Sequence, residues 1–135
     1  MDIFLTEVKR TALPVGDYAV EWADGETGKT YFERKSLSDL FTTMTLGYTR
    51  FKKEMERAKE FGVILVLIIE GSLTDVWSGA CYSSFEGSSM VKKLMTLEHR
   101  YGLRTVYCQN RSEMAMYIKH WFIAEGAERA RGKSA

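Results

Sequence analysis

Residues Val63-Ile64-Leu65-Val66-Leu67-Ile68-Ile69 form an unbroken aliphatic run, and no other stretch constrains the fold as tightly. A strand with one wet face alternates apolar and polar residues, whereas a strand covered on both faces has no reason to alternate. The run is rich in β-branched residues, follows Gly62, and is far too short to cross a bilayer as a helix. It predicts the central strand of a sheet with helices on both sides.

The flanking segments suit that arrangement. Tyr18, Val20 and Trp22 alternate within Gly16 to Trp22, and Thr30 to Lys35 follows, which predicts two strands. The polar stretch from Ala23 to Lys29 contains Gly25 and Gly28 and suits a hairpin, so the strands are expected to be antiparallel neighbours. The start of the first then lies near the end of the second.

Ser36 can cap a helix, with Asp39 answering it three residues on, and Leu37, Leu40, Phe41 and Met44 supply an apolar face. Gly47 interrupts before Phe51, Met55 and Ala58 resume helical spacing opposite a charged face of Lys52, Glu56, Arg57 and Glu60. One broken helix and two helices fit equally. Gly71 to Ser89 is rich in serine and glycine and reads as a long loop. Met90, Leu94, Leu97 and Tyr101 mark a helix ended by Gly102, and Thr105 to Cys108 reads as a strand. A last helix begins near Arg111 and carries Met114, Ile118, Trp121 and Phe122. The order implies an α/β domain, a mixed central sheet flanked by helices. A single domain over residues 1–126 is expected, with 127–135 as a frayed polar tail.

Composition excludes several classes. A formal net charge of +1 rules out a protein that announces a nucleic-acid surface in bulk charge, so any such surface must come from local clustering. Cys81 and Cys108 have neither zinc-site spacing nor the density of a disulfide scaffold, and are expected to be reduced packing residues. No membrane span is expected, and Asp2 and Glu7 do not fit a secretion signal. A cytoplasmic protein is the expectation.

Chemistry concentrates between the first two predicted strands. Glu33 and Lys35 are two apart, so they leave the same face, while Arg34 points the other way. The hairpin brings Asp17 to the same edge. Two neighbouring carboxylates can hold a hard divalent cation, and an adjacent ammonium can place a water or balance charge on a phosphorane. Each feature also has a plain reading. Glu-x-Lys on a strand is common, Gly-Asp at a turn is usually structural, and Asp39 fits a helix start.

Taken together, Gly16-Asp17, Glu33-Arg34-Lys35 and Asp39 closely resemble the signature of the XPF-type structure-specific endonucleases, a branch of the restriction-endonuclease-like PD-(D/E)XK nuclease fold. Leu13-Pro14-Val15 before the signature and Ile68-Ile69-Glu70-Gly71 after it match too. So do Gly47 with Arg50-Phe51 and Glu54, Ser78-Gly79 with Tyr82-Ser83-Ser84, and Arg100-Tyr101 with Asn110-Arg111, as in compact bacterial and phage members. The resemblance runs from Leu13 to about Phe122.

It implies an endodeoxyribonuclease dependent on Mg²⁺ or Mn²⁺, acting on DNA at branches or flaps. Asp17 and Glu33 would be metal ligands with the Arg34 backbone carbonyl completing the site, and Lys35 the catalytic lysine. Arg34 and Asp39 would support the motif, and Glu70 would lie near it or simply close its strand. Arg50 is a candidate phosphate contact, as are Tyr82 and Ser83 in the loop. Relatives often dimerise, and Tyr117, Trp121 and Phe122 would serve a homodimer or, equally, the core. The implied setting is the cytoplasm or nucleoid of a bacterium or archaeon, or of a phage-infected cell. The pattern departs from the family in one respect: the usual first strand, bearing Asp-x-Arg-Glu, is expected to be missing. A second reading therefore stands beside the first, a nuclease-fold DNA-binding or scaffolding subunit with impaired catalysis.

Overall fold

The aliphatic run does become the middle of a sheet. In the computed structural model, which describes residues 7–9, 16–79 and 86–134, strand β4 (Ile64–Glu70) lies between β3 (Thr30–Ser36) and β5 (Arg104–Cys108). Both pairings are parallel, with Glu33 opposite Leu67 and Lys35 opposite Ile69. Leu65 to Ile69 are all buried, so no face of β4 is left to water.

The alternation of β4 divides the core. Leu65, Leu67 and Ile69 face α1 (Leu37–Thr45), α2 (Tyr48–Phe61) and α4 (Gly87–Tyr101), through Leu40, Phe41, Met44, Phe51, Met55 and Leu94. Val66 and Ile68 face α5 (Arg111–Ser134) through Met114, Ile118 and Phe122. The sheet is thus sandwiched between helical layers. Strand β3 runs straight into α1, whose first turn is capped by the Ser36 hydroxyl accepting from the Asp39 amide at 3.2 Å. Two helices follow β3 rather than one broken helix, because α1 stops at Thr45 and α2 starts after Gly47. Among the described residues no helix is long and apolar enough to cross a membrane.

The antiparallel part of the sheet is smaller than expected. Strand β2 (Ala19–Glu21) pairs along its length not with β3 but with β1 (Glu7–Lys9), a short strand that the sequence pattern did not suggest. The sequence Glu7-Val8-Lys9 carries none of the Asp-x-Arg-Glu motif. The expected hairpin contact survives as a single bridge, Tyr18 to Phe32, with the Phe32 carbonyl accepting from the amides of both Asp17 and Tyr18.

Two further expectations are corrected. The segment Gly71 to Ser89 is not a loop throughout, since it contains α3 (Leu73–Ser78) and the first turn of α4. A reciprocal capping box between Ser72 and Asp75 starts α3. Gly87 lets α4 begin hard against α3, where a Cβ would overlap the Trp77 carbonyl. The polar tail is helical as far as Ser134. Arg129 anchors it by donating to Asp24 at 2.7 Å and Glu26 at 2.6 Å while its guanidinium lies over Trp22.

The rings of Tyr117, Trp121 and Phe122 meet Phe32 edge-on at centroid distances of 6.3, 6.2 and 5.4 Å. Phe122 is fully buried, so it belongs to the core and presents no surface. Cys108 is free and buried; Cys81 lies outside the described residues.

Because β4 is packed from both sides, Leu67→Ala should cost roughly 2–5 kcal/mol in chemical denaturation. Ile64→Ala, at the 42 % exposed start of the same strand, should cost far less. Equal losses at the two positions would contradict the two-sided burial.

Candidate active site

Four charged side chains gather at the carboxyl end of β3. The alternation of the strand puts Glu33 and Lys35 on the face covered by α1 and α2, and Arg34 on the face toward α5. Lys35 Nζ lies 3.9 Å from Glu33 Oε2. Asp17 joins from the bridge between the first hairpin and β3. Its turn needs Gly16, which adopts φ +73 and whose Cβ would stand 3.1 Å from the Phe32 carbonyl oxygen. Asp17 Oδ2 then accepts from the Arg34 amide at 3.0 Å, which ties the carboxylate to β3 one residue past Glu33.

Glu54 comes from α2. It stands between Phe51 and Met55, two residues that face the sheet, and is half-buried on that side of the helix. Its carboxyl lies close enough to that of Glu33 to raise it.

Glu33 is only 8 % exposed. Burial, then the negative charge of Glu54, pushes its carboxyl from the ordinary 4.5 up to about 7. Lys35 opposes the shift, while Asp17 adds to it. Three acids thus converge on one ammonium, and burial together with the neighbouring negative charges favours the protonated form of Glu33. The arrangement has an excess of oxygen donors and negative charge.

The sequence pattern of the ERCC4 domain matches residues 5–121 of this chain. The chain belongs to the ERCC4 domain family. Among proteins of curated function, none matches it. Several solved structures share the fold, among them two of an archaeal protein. One is XPF from Aeropyrum pernix, with TM-score 0.61, 23% identity, and coverage of 82% of this chain and 50% of that one. The other is the same protein in complex with DNA, with TM-score 0.60, 20% identity, and coverage of 90% and 52%. The chain therefore spans about half the length of the structures it matches, and this ERCC4 domain has the fold of XPF.

Within this ERCC4 domain the donor set suits a hard divalent cation, because Asp17 and Glu33 offer carboxylate oxygens beside a surplus of negative charge. Among the described residues there is no group of three or more His, Cys, Asp or Glu arranged to hold a metal. Two carboxylates suffice for an ion such as Mg²⁺, which keeps several waters.

The other sequence-derived candidates fall in different places. Asp39 sits exposed in the first turn of α1, where its amide completes the cap. Arg50 is exposed one turn before Glu54 on α2. Glu70, at the end of β4, is 3.8 Å from Arg111 Nε. Tyr82 and Ser83 lie outside the described residues, as do Leu13, Pro14 and Val15. Glu54 was not among the candidate site residues. Its signal was present in its place between Phe51 and Met55 on the apolar stripe.

A raised carboxyl has a definite consequence for stability. The folded domain holds the Glu33 proton more tightly than the unfolded chain, so this contribution is fully present at pH values below about 4.5 and is lost as pH rises through about 7. Glu33→Gln cannot ionise and escapes that loss. In the presence of a chelator, the variant should gain on the order of 2 kcal/mol relative to wild type between pH 5 and pH 8. Thermal unfolding of both proteins at the two pH values reads this directly. A difference that does not change with pH would contradict the buried acidic cluster.

Proposed function

We propose that this domain is a divalent-cation-dependent endonuclease that hydrolyses DNA phosphodiester bonds, with branched or flapped DNA as its substrate. One observation carries the reading. Asp17 and the pair Glu33 and Lys35 arrive from separate elements and meet at one end of β3, through the 3.0 Å bond to the Arg34 amide and the 3.9 Å approach of Lys35 to Glu33. The likeness to XPF from Aeropyrum pernix solved in complex with DNA supports DNA as the ligand.

Asp17, Glu33 and the Arg34 carbonyl would hold Mg²⁺ or Mn²⁺, which when bound supplies Lewis acidity to a phosphate oxygen and to an attacking water. The rest of the chemistry falls to the protein. The backbone amide of Arg34 keeps Asp17 in one orientation, so the carboxylate needs little reorganisation when substrate arrives. Burial under α1 and α2 keeps bulk water from Glu33. Lys35 is 23 % exposed and so reaches from the acids toward solvent. Its ammonium would position the water that attacks phosphorus, and would balance the charge that grows as the ester oxygen leaves. Arg50, exposed on the first turn of α2, would take a neighbouring phosphate.

The experiment is cleavage of flapped, branched and linear duplexes at saturating Mg²⁺ and Mn²⁺. Lys35→Ala should lower kcat by about 10²–10³-fold, the usual cost of losing one preorganised electrostatic group. Asp17→Asn and Glu33→Gln should lower it at least as far and raise the metal concentration needed for half-maximal rate. Rates equal to wild type in Lys35→Ala would remove the lysine from the mechanism. A wild-type domain inert toward every substrate with both metals would favour the scaffolding reading instead.

A further inference from the structure

On the side of β3 opposite the acids, Arg34 lines a cavity of about 250 Å³ together with Tyr18, Arg111, Met114, Ala115, Ile118 and Lys119. Three of the seven lining residues are cations and none is an acid. Among the described residues, no carboxylate pairs with the side chain of Arg34 or of Lys119. Arg111 has only a long contact with Glu70, at 3.8 Å, and its side chain remains 75 % exposed.

In a protein with a net charge of +1, such a local excess of positive charge is the kind of clustering that phosphate recognition requires. The volume falls below the roughly 300–1,000 Å³ of sites for drug-sized ligands. It suits a small anionic group rather than a whole nucleotide. Its wall of Tyr18, Met114 and Ile118 offers apolar contact to a sugar, while the cations reach the anion from both β3 and α5.

We infer that this cavity holds a non-scissile backbone phosphate of the DNA strand whose neighbouring phosphodiester lies at Asp17, Glu33 and Lys35. The inference rests on the nuclease reading above and extends it to a second contact. Arg34 links the two places, because its amide holds Asp17 while its side chain lines the cavity. The strand that carries both is at an edge of the three-stranded parallel sheet. A DNA strand passing the carboxyl end of β3, beyond its bridge to Tyr18, meets the acids on one side and the cations on the other. Arg34, Arg111 and Lys119 are then positioning residues, fixing which phosphodiester falls at the acids.

The test is equilibrium binding of a fluorescently labelled flapped duplex, followed by anisotropy in chelator over a range of salt concentrations. Lys119 is exposed on α5, so Lys119→Ala should fold normally and weaken binding about 3–10-fold. Removing one phosphate contact should also lower the slope of log affinity against log salt by about 1. Lys119→Glu should weaken binding further, and Arg111→Ala should behave like Lys119→Ala. Lys59→Ala, near the far end of α2, serves as a charge-matched control and should leave affinity and slope close to wild type. Unchanged affinity and slope in both Lys119→Ala and Arg111→Ala would overturn the inference. So would equal weakening by Lys59→Ala, which would indicate net charge alone. Since no metal or cleavage enters the measurement, an inactive but DNA-binding wild type would count against the nuclease reading without deciding the binding result. A wild type that does not bind the duplex would overturn the phosphate site.

Discussion

The parallel register between β3 and β4 is the constraint on which the site depends. With Glu33 opposite Leu67 and Lys35 opposite Ile69, the acid and the ammonium share the face roofed by α1 and α2, and Arg34 faces α5. A slip of one residue would invert this, sending Arg34 under the helices and Glu33 to the cationic cavity. The register is held by hydrophobic burial, because β4 has buried residues on both faces and the neighbouring aromatic Phe32 must meet the rings of α5. The core therefore fixes where the charged groups lie.

That placement works against stability in the absence of a cation. Glu33 is buried close to Glu54 and Asp17, and its raised carboxyl records the strain of gathering acids where water is scarce. A solitary buried charge would normally neutralise or be replaced. Glu33 shifts in that direction, yet the residues around it add further acids rather than removing it. Gly16 makes the turn that delivers Asp17, the Arg34 amide holds it, and α2 adds a further carboxyl. A fold that accepts such a cost at one end of a well-packed strand is consistent with a site that expects positive charge from outside.

Much of this was legible in the chain. The run from Val63 to Ile69 located the central strand because lack of alternation has a direct physical meaning, and Gly47 and Gly102 marked helix boundaries that the structure keeps. Period-two spacing alone separated Glu33 and Lys35 from Arg34. What the sequence hid was mostly tertiary. Arg129 anchors the end of α5 to Asp24, 105 residues away, and no local pattern distinguishes that helix end from a solvated tail. The pairing of β2 with β1 was likewise a nonlocal choice, leaving β3 with a single bridge to Tyr18. The short helix α3 differs, since its Ser72 and Asp75 capping box was present in the sequence but lay within a stretch whose serines and glycines suggested a loop.

The central claim is that Asp17 and Glu33 together grip a divalent ion at the end of β3. Anomalous diffraction from crystals soaked in Mn²⁺ tests it most directly. The account predicts a single strong peak at about 2.1 Å from a carboxylate oxygen of each residue. A peak held by other side chains, or none at that end of the strand, would contradict it.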